Sequence, residues 1–236
     1  MGKSSLISRL APSVAEKKRL AWIACDPSSP ETGGSLLGDR IRLSGQAVSD
    51  NLFVRSMSTR GMRAFSRAIR DIEVYLEPYF SEVWVETAGS GQTQSDVARI
   101  SGITILILQP ETGDEIQWMK SGVRDWADLF LIHKADLPGA SLMARSLSEQ
   151  GIPNERIVMV SSKTGDGLSD ALSTLERYRS QVDWKRRLSI LHEAHAKDLC
   201  LENLEQELDE RFSQRRAEWI KNPYSFGGRL NKLTSS

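Results

Sequence analysis

The chain has 236 residues, with 31 basic and 31 acidic side chains and a formal net charge of zero. This length suits one sizeable α/β domain with an appendage, and the balanced charge gives no support to binding of nucleic acid or an anionic membrane. The two cysteines lie far apart in sequence, no apolar run reaches the ~18 residues that span a bilayer, and the N-terminus lacks the apolar stretch of a signal peptide, so we expect a cytoplasmic protein without disulfides.

The chain opens with Gly2, Lys3, Ser4 and Ser5, followed by an apolar-periodic helix. Gly-Lys-Ser is the last third of a phosphate-binding loop, GxxxxGK[ST], whose backbone N–H groups and lysine hold phosphates. The first glycine of that motif and the strand before it do not precede it here. Because lysine and serine are also common at exposed termini, the motif indicates a phosphate site only together with those that follow.

An apolar run from Leu20 to Asp26 predicts a buried strand that ends on a carboxylate. The segment after it, DPSSPETGGSLLGDR, has the prolines and glycines of a loop, and it carries a second carboxylate, Asp39. Ligands of open α/β folds bind beyond the carboxyl ends of strands, although an acidic surface loop is the alternative. After the segment RSMSTRG, apolar residues at helical spacing predict a helix over residues 60–77, closed by Pro78.

A short strand, Val83 to Val85, precedes the segment ETAGSGQ. Glu86 stands at the end of this strand, and Gly89 follows three residues later. This spacing is typical of a nucleotide switch that holds magnesium and approaches a γ-phosphate through a glycine N–H. An ordinary strand-to-helix turn fits the same residues.

The apolar run of residues 102–110 predicts a central parallel strand, and another strand, 128–133, runs into the segment HKAD. A strand that ends in Asn-Lys-x-Asp is typical of a guanine site. The aspartate, here Asp136, accepts two hydrogen bonds that adenine does not offer, and the stem of Lys134 packs under the base. His133 stands at the asparagine position, and a polar turn is the alternative interpretation.

The last predicted strand, 156–160, leads into SSKTGDG. Its residues Ser161, Ser162 and Lys163 are similar to a Ser-Ala-Lys loop whose backbone amides contact the guanine carbonyl. Further helices are predicted at 115–124, at 140–150 and from Leu168 onward. Alternating strands and helices predict an α/β fold with a doubly wound, mostly parallel sheet, and the strands end near residue 181.

Taken together, DPSSPETGGSLLGDR, RSMSTRG, ETAGSGQ and HKAD closely resemble the P-loop GTPases of the MeaB/ArgK kind, chaperones of adenosylcobalamin-dependent methylmalonyl-CoA mutase. The resemblance implies a P-loop NTPase domain of the SIMIBI type over residues 1–180. It also implies a helical C-terminal extension over 181–236 that helps to form a homodimer. The implied cofactors are GTP or GDP and Mg²⁺, and the implied partner is an adenosylcobalamin-dependent acyl-CoA mutase.

The resemblance also implies roles for matching residues in phosphoryl transfer to water. The residues implied for nucleotide binding are Gly2, Lys3, Ser4, Ser5, His133, Lys134, Asp136, Ser161, Ser162 and Lys163. The residues implied for magnesium are Ser4, Asp26, Asp39 and Glu86, and those implied for catalysis are Asp26, Asp39, Glu86 and Gly89. Arg60 would couple the switch to the partner.

Three departures from the family pattern are the shortened phosphate loop, His133 and Ser162. Losing about three charge-assisted hydrogen bonds to phosphate, at roughly 1.5–3 kcal/mol each, would greatly weaken nucleotide binding. The hypothesis that follows is a protein that starts upstream of Met1. The alternatives are a non-catalytic pseudo-GTPase that binds the mutase as a scaffold, and a nickel or cobalt metallochaperone, which would need a Cys/His metal site.

Overall fold

The structure, a computed structural model, describes residues 2–26, 49–58, 62–87, 101–110 and 127–221. Its strands are β1 (Leu20–Asp26), β2 (Leu52–Ser58), β3 (Glu82–Glu86), β4 (Ile105–Leu108), β5 (Leu129–His133) and β6 (Ile157–Val160). Its helices are α1 (Lys3–Ala15), α2 (Met62–Leu76), α3 (Ala140–Glu149), α4 (Leu168–Gln181) and α5 (Trp184–Lys221), with a 3₁₀ turn at Asn154–Arg156. Its contacts separate the chain into two compact units, Met1–Arg187 and Leu188–Ser236.

The described strands form two parallel sheets of three strands, in the orders β2-β1-β3 and β4-β5-β6. Helices cover both faces of each sheet. In the first sheet, α2 packs on one face through Ile69 and Leu76, and α1 packs near β1 and β2 through Ala11 and Ala15. The second sheet lies between α3, on the Phe130 side, and α1 with α4 on the other. The predicted α/β class with parallel strands and covering helices is confirmed.

Three features differ from the sequence predictions or lie beyond them. Strand β2 was not predicted, because only Leu52 among its described side chains is buried and the apolar pattern is short. Pairing with β1 along seven residues makes this segment a strand. Strand β4 is shorter than the predicted 102–110 run, and the predicted helix 115–124 lies outside the described residues.

The two sheets leave a slot between them, where β3 faces β4. Within the described residues neither of these strands pairs with a further strand on that side. The slot has a volume of about 390 Å³, and its lining includes Trp84 and Ile105 from the strand edges, Leu6 from α1 and Leu175 from α4. Unpaired edges that face an apolar slot leave backbone N–H and C=O groups without ladder partners.

No helix in the described part of the chain is both long enough and apolar enough to cross a membrane.

Two leucines of α3 provide a test of this packing. Leu147 is 1% exposed in the core beside Phe130, whereas Leu142 is 73% exposed on the same helix. We expect Leu147→Ala to lower the free energy of unfolding by about 2–5 kcal/mol, because it leaves a cavity. Leu142→Ala carries the same change in helix propensity and should stay within about 0.5 kcal/mol. Urea denaturation measures both, and equal effects would contradict the packing described.

Candidate functional site

The start of α1 lies at the carboxyl ends of strands from both sheets. Gly2 precedes the helix with φ +141°, a backbone conformation that glycine adopts readily. The first N–H groups of a helix have no intrahelical partner and attract anions, and the first turn of α1 contains no acidic residue. Lys3, Ser4 and Ser5 occupy this turn. The arrangement is suited to binding a phosphate group.

Ser4 connects this turn to the first sheet. Its hydroxyl donates a hydrogen bond to Oε1 of Glu86, the last residue of β3. Glu86 is buried, so its carboxylate is held at the strand end beneath the start of α1. Hydroxyl and carboxylate oxygens are the ligands that Mg²⁺ prefers. The chemistry of this pair therefore fits the magnesium predicted for it.

Several predicted residues lie outside the part of the chain that the structure describes. These are Asp39, Arg60, Gly89 and the side chain of Asp26. Among the described residues there is no group of three or more His, Cys, Asp or Glu side chains able to hold a metal. On α5, Glu193 forms an ion pair of 2.7 Å with Lys197.

The two loops predicted to contact a base follow the carboxyl ends of β5 and β6, and they contact each other. The Ala135 N–H donates to the Val160 carbonyl across 3.0 Å, and the Ser161 hydroxyl donates to Asp136 Oδ1 across 2.6 Å. Lys134 adopts φ +60°, which turns the chain sharply after the strand. Ser161 is fully buried, so its hydroxyl is a fixed donor. The structure thus joins residues that lie 25 positions apart in sequence.

This contact stabilises the ionised form of Asp136. The hydrogen bond from Ser161 lowers the pKa of the Asp136 carboxyl, and the charges of Lys163 and His133 lower it further. Because this pKa lies below the ordinary value of 3.8, the carboxyl is ionised at neutral pH, and its side chain is exposed to solvent. An ionised carboxylate offers two acceptor oxygens, as the recognition of two adjacent N–H groups requires.

His133 lies between the base loops and the start of α1. It is 3% exposed, and its Nε2 is 2.9 Å from Ser162 Oγ. A Cβ added to Gly2 would come within 2.8 Å of Gln109 Nε2 and closer still to the His133 ring. Gln109, at the end of β4, is a buried polar residue that the sequence analysis missed. The sequence feature that could have indicated it is a glutamine directly after a wholly apolar strand.

The predicted residues that the structure describes therefore form two groups, each joined by its own hydrogen bonds. Ser4 and Glu86 meet at the first sheet, while His133, Asp136, Ser161 and Ser162 meet at the second. Gly2 lies beside the second group. Ser5 and Lys163 are exposed to solvent.

Comparison with known proteins identifies the family. Residues 1–217 match the family described as methylmalonyl Co-A mutase-associated GTPase MeaB. The chain belongs to the MeaB family. A probable GTPase of Mycobacterium bovis is 34% identical over 217 residues, which cover 80% of this chain and 65% of that protein. The mouse mitochondrial methylmalonic aciduria type A homolog is 30% identical over 195 residues, which cover 77% of this chain and 47% of that protein.

Solved structures support the fold of this MeaB-family chain. The crystal structure of a LAO/AO transport system kinase has a TM-score of 0.63 at 20% identity and covers 99% of this chain and 77% of that one. HypB from Helicobacter pylori, in complex with nickel, has a TM-score of 0.54 at 17% identity and covers 76% and 82%. These likenesses establish the P-loop NTPase fold. The chain spans less than two thirds of the length of the curated relatives it matches.

Replacing Ser161 tests how far its hydrogen bond lowers the pKa of the Asp136 carboxyl. In Ser161→Ala, we expect the pKa of the Asp136 carboxyl to rise toward its ordinary value of 3.8, because its main stabilising donor is lost. The stability that this ionised carboxylate contributes is present above pH 3.8 and is lost as pH falls through its lowered folded pKa. On acidification, the free energy of unfolding of the variant should therefore fall less than that of the unmodified protein.

The measurement is a ¹³C NMR titration of the Asp136 carboxyl carbon. Thr164→Ala is the control, since it removes from the same loop a hydroxyl that bonds Asp166 instead. An unchanged Asp136 titration in Ser161→Ala would show that the contact does not lower the pKa of this carboxyl.

Proposed function

We propose that this MeaB-family chain binds GTP with Mg²⁺ and hydrolyses it to GDP as part of a chaperone of an adenosylcobalamin-dependent acyl-CoA mutase. The chaperone would assist loading or protection of the mutase cofactor. The observation that carries the proposal is the junction of Asp136 with Ser161, beside the Ser162–His133 contact. An ionised carboxylate that is accessible to solvent supports a site for the two N–H donors of guanine, and family membership agrees with it.

The roles of the chain's own residues follow from their positions. Asp136 would accept hydrogen bonds from the guanine ring N–H and the exocyclic amine, with the stem of Lys134 under the base. The first turn of α1, with Lys3, would hold the phosphates. Ser4 and Glu86 would hold Mg²⁺ and its waters, and the ion when bound supplies positive charge beside the phosphates. Asp26 and Asp39 would complete this set, and Gly89 would contact the γ-phosphate.

The exchange Asp136→Asn tests base recognition. The asparagine amide cannot accept from both guanine donors, so we expect GTP affinity to fall roughly 100-fold or more. Xanthosine triphosphate, which presents a carbonyl where guanine has its amine, should bind the variant better than GTP does. Asp166→Asn is the matched control, because it removes the same charge from an exposed carboxylate of the neighbouring loop. Calorimetric titration with GTP, ATP and xanthosine triphosphate gives the affinities, and equal GTP and ATP binding by the unmodified chain would exclude a guanine site.

We also propose that a strand upstream of Met1 fills the slot between β3 and β4 and completes the phosphate loop. The support is the pair of unpaired strand edges in the described part of the sheets, with Lys3 at the same slot. The calorimetric titration is therefore run on the 236-residue chain and on a version extended upstream. Tight GTP binding by the extended version alone would support the proposal, whereas an in-frame stop codon directly before the Met1 codon would contradict it.

The two alternative functions are weaker. A pseudo-GTPase scaffold would bind the mutase without nucleotide turnover, and relatives of this chain are named as GTPases. It would replace the proposal if neither length of the chain binds GTP. A nickel or cobalt metallochaperone needs a Cys/His cluster, and the described residues contain none.

The partner, the oligomeric state and the compartment belong to the proposal as well. We infer a cytoplasmic homodimer that binds the mutase. The unit Leu188–Ser236 exposes an apolar stripe on α5, formed by Leu201, Leu204, Leu208 and Phe212, which fits a helix–helix contact between copies. Neither Cys25 nor Cys200 forms a disulfide, as is usual for a reducing compartment.

Light scattering coupled to gel filtration tests this assembly. The chain, at 26.4 kDa, should elute with twice its monomer mass, and addition of methylmalonyl-CoA mutase should give a larger complex whose amount depends on GTP. Leu204→Glu is expected to reduce the dimer, while Glu205→Gln on the same turn should not. A monomer, or no complex with the mutase in any nucleotide state, would contradict the assembly.

A further inference from the structure

A groove runs between α1 and α4, which pack on the same face of the second sheet. Its volume is about 430 Å³. The floor of the groove is apolar and only partly buried, and it includes Val14, Leu168, Leu172 and Leu175. The rims are polar and exposed, and they are formed by Arg9, Ser13 and Lys17 on one side and by Ser169 and Ser173 on the other. The groove therefore presents apolar surface between two polar edges.

Contacts between the two walls give the groove a fixed form. Lys18, just after α1, donates hydrogen bonds to Glu82, across 2.8 Å, and to Glu176 of α4. Toward the other end, Arg9 lies near the loop that precedes α4, since a Cβ added to Gly165 would be 3.8 Å from Arg9 Nη2. A surface that is already formed loses little conformational entropy when a partner binds.

The groove carries positive charge that its own carboxylates do not neutralise. Glu82 and Glu176, the carboxylates that line it, both form ion pairs with Lys18. Arg9 and Lys17 form no ion pair within the part of the chain that the structure describes. They lie eight positions apart, or about 12 Å at the rise of a helix. Two exposed cations at this spacing favour an acidic occupant.

The shape of the groove indicates what kind of acidic occupant it takes. Small-molecule sites enclose most of the ligand surface, whereas this groove has exposed residues along both rims. An apolar floor beside a basic rim matches an amphipathic helix that has carboxylates next to its apolar row. Carboxylates two turns apart on such a helix are separated by about 11 Å, which is close to the spacing of Arg9 and Lys17.

We propose that the groove between α1 and α4 is a docking surface for an acidic amphipathic helix of a partner protein. The apolar row of that helix covers the leucines of the floor, and its carboxylates pair with Arg9 and Lys17. None of these residues is among those proposed for nucleotide binding. The inference therefore goes beyond the proposed function, and its test needs no nucleotide.

The first experiment measures fluorescence anisotropy of a labelled peptide titrated with the 236-residue chain. The peptide is an alanine-based helix of about 18 residues with leucines at helical spacing and glutamates along one flank of the leucine row. A second peptide has lysine in place of each glutamate. We expect saturable binding of the acidic peptide, roughly tenfold or more tighter than that of the basic one, and weaker binding as salt is added. Equal affinities, or no binding of the acidic peptide, would overturn the proposal.

Charge reversal in the groove locates the binding surface. Lys17→Glu should lower the affinity for the acidic peptide at least about threefold, and Arg9→Glu with Lys17→Glu roughly tenfold or more. Arg145→Glu is the control, because it makes the same charge change at an exposed position of α3, on the other face of the second sheet, and should change the affinity less than about twofold. Circular dichroism checks that each variant is folded. Unchanged affinity in folded groove variants would place the peptide elsewhere and overturn the proposal.

Two further measurements separate this occupant from other ones. Light scattering compares the mass of the unmodified chain with that of the Arg9→Glu, Lys17→Glu double variant. A lower mass for the variant would show that the groove holds a second copy of the chain, and an unchanged mass supports a different partner. Inorganic phosphate is then added to the peptide complex. Displacement at an ionic strength at which chloride has no effect would indicate a site for small anions instead, and it would also overturn the proposal.

Discussion

The first helix holds the main unit together, because it contacts both sheets. Its apolar face divides between them: Ala11 and Ala15 pack near β1 and β2, while Leu6 and Leu10 pack on the second sheet. Its first turn repeats this division, since Ser4 bonds Glu86 at the end of β3 and Gly2 lies against His133 at the end of β5. Because the described strands of the two sheets do not pair with each other, this helix is a principal connection between them.

At their amino ends, β3 and β5 are held by buried ion pairs and hydrogen bonds. Glu82, which begins β3, accepts hydrogen bonds from Lys18 across 2.8 Å and from Arg179 across 2.5 Å. Asp128, just before β5, accepts from the Thr104 N–H, the Tyr178 hydroxyl and Arg187, each within 2.8 Å. Both carboxylates are largely buried, and breaking such a network leaves an uncompensated charge. Structural ion pairs thus lie at the amino ends of β3 and β5, while Glu86, His133 and Asp136 lie at the carboxyl ends of these strands, where ligands of parallel α/β sheets bind.

The sequence predicted most strands and helices of the main unit, because buried parallel strands are continuous apolar runs and covering helices repeat every three to four residues. It missed β2, which depends on pairing with β1 more than on its own pattern. At the candidate site, motif spacing indicated Asp136, Ser161 and Glu86 individually. The contact of Asp136 with Ser161 joins two loops that only the pairing of β5 with β6 brings together.

By itself, the sequence determined the α/β class, the family and which side chains carry the candidate chemistry, since each of these is encoded in short segments of local pattern. The tertiary structure decided which of those side chains meet. Gln109 was hidden at the end of an apolar run, and His133 was marked only as a departure from a motif. Their proximity to Gly2 arises from the docking of α1 across strands far apart in sequence. Local pattern does not specify such long-range contacts, because they depend on how sheets and helices pack.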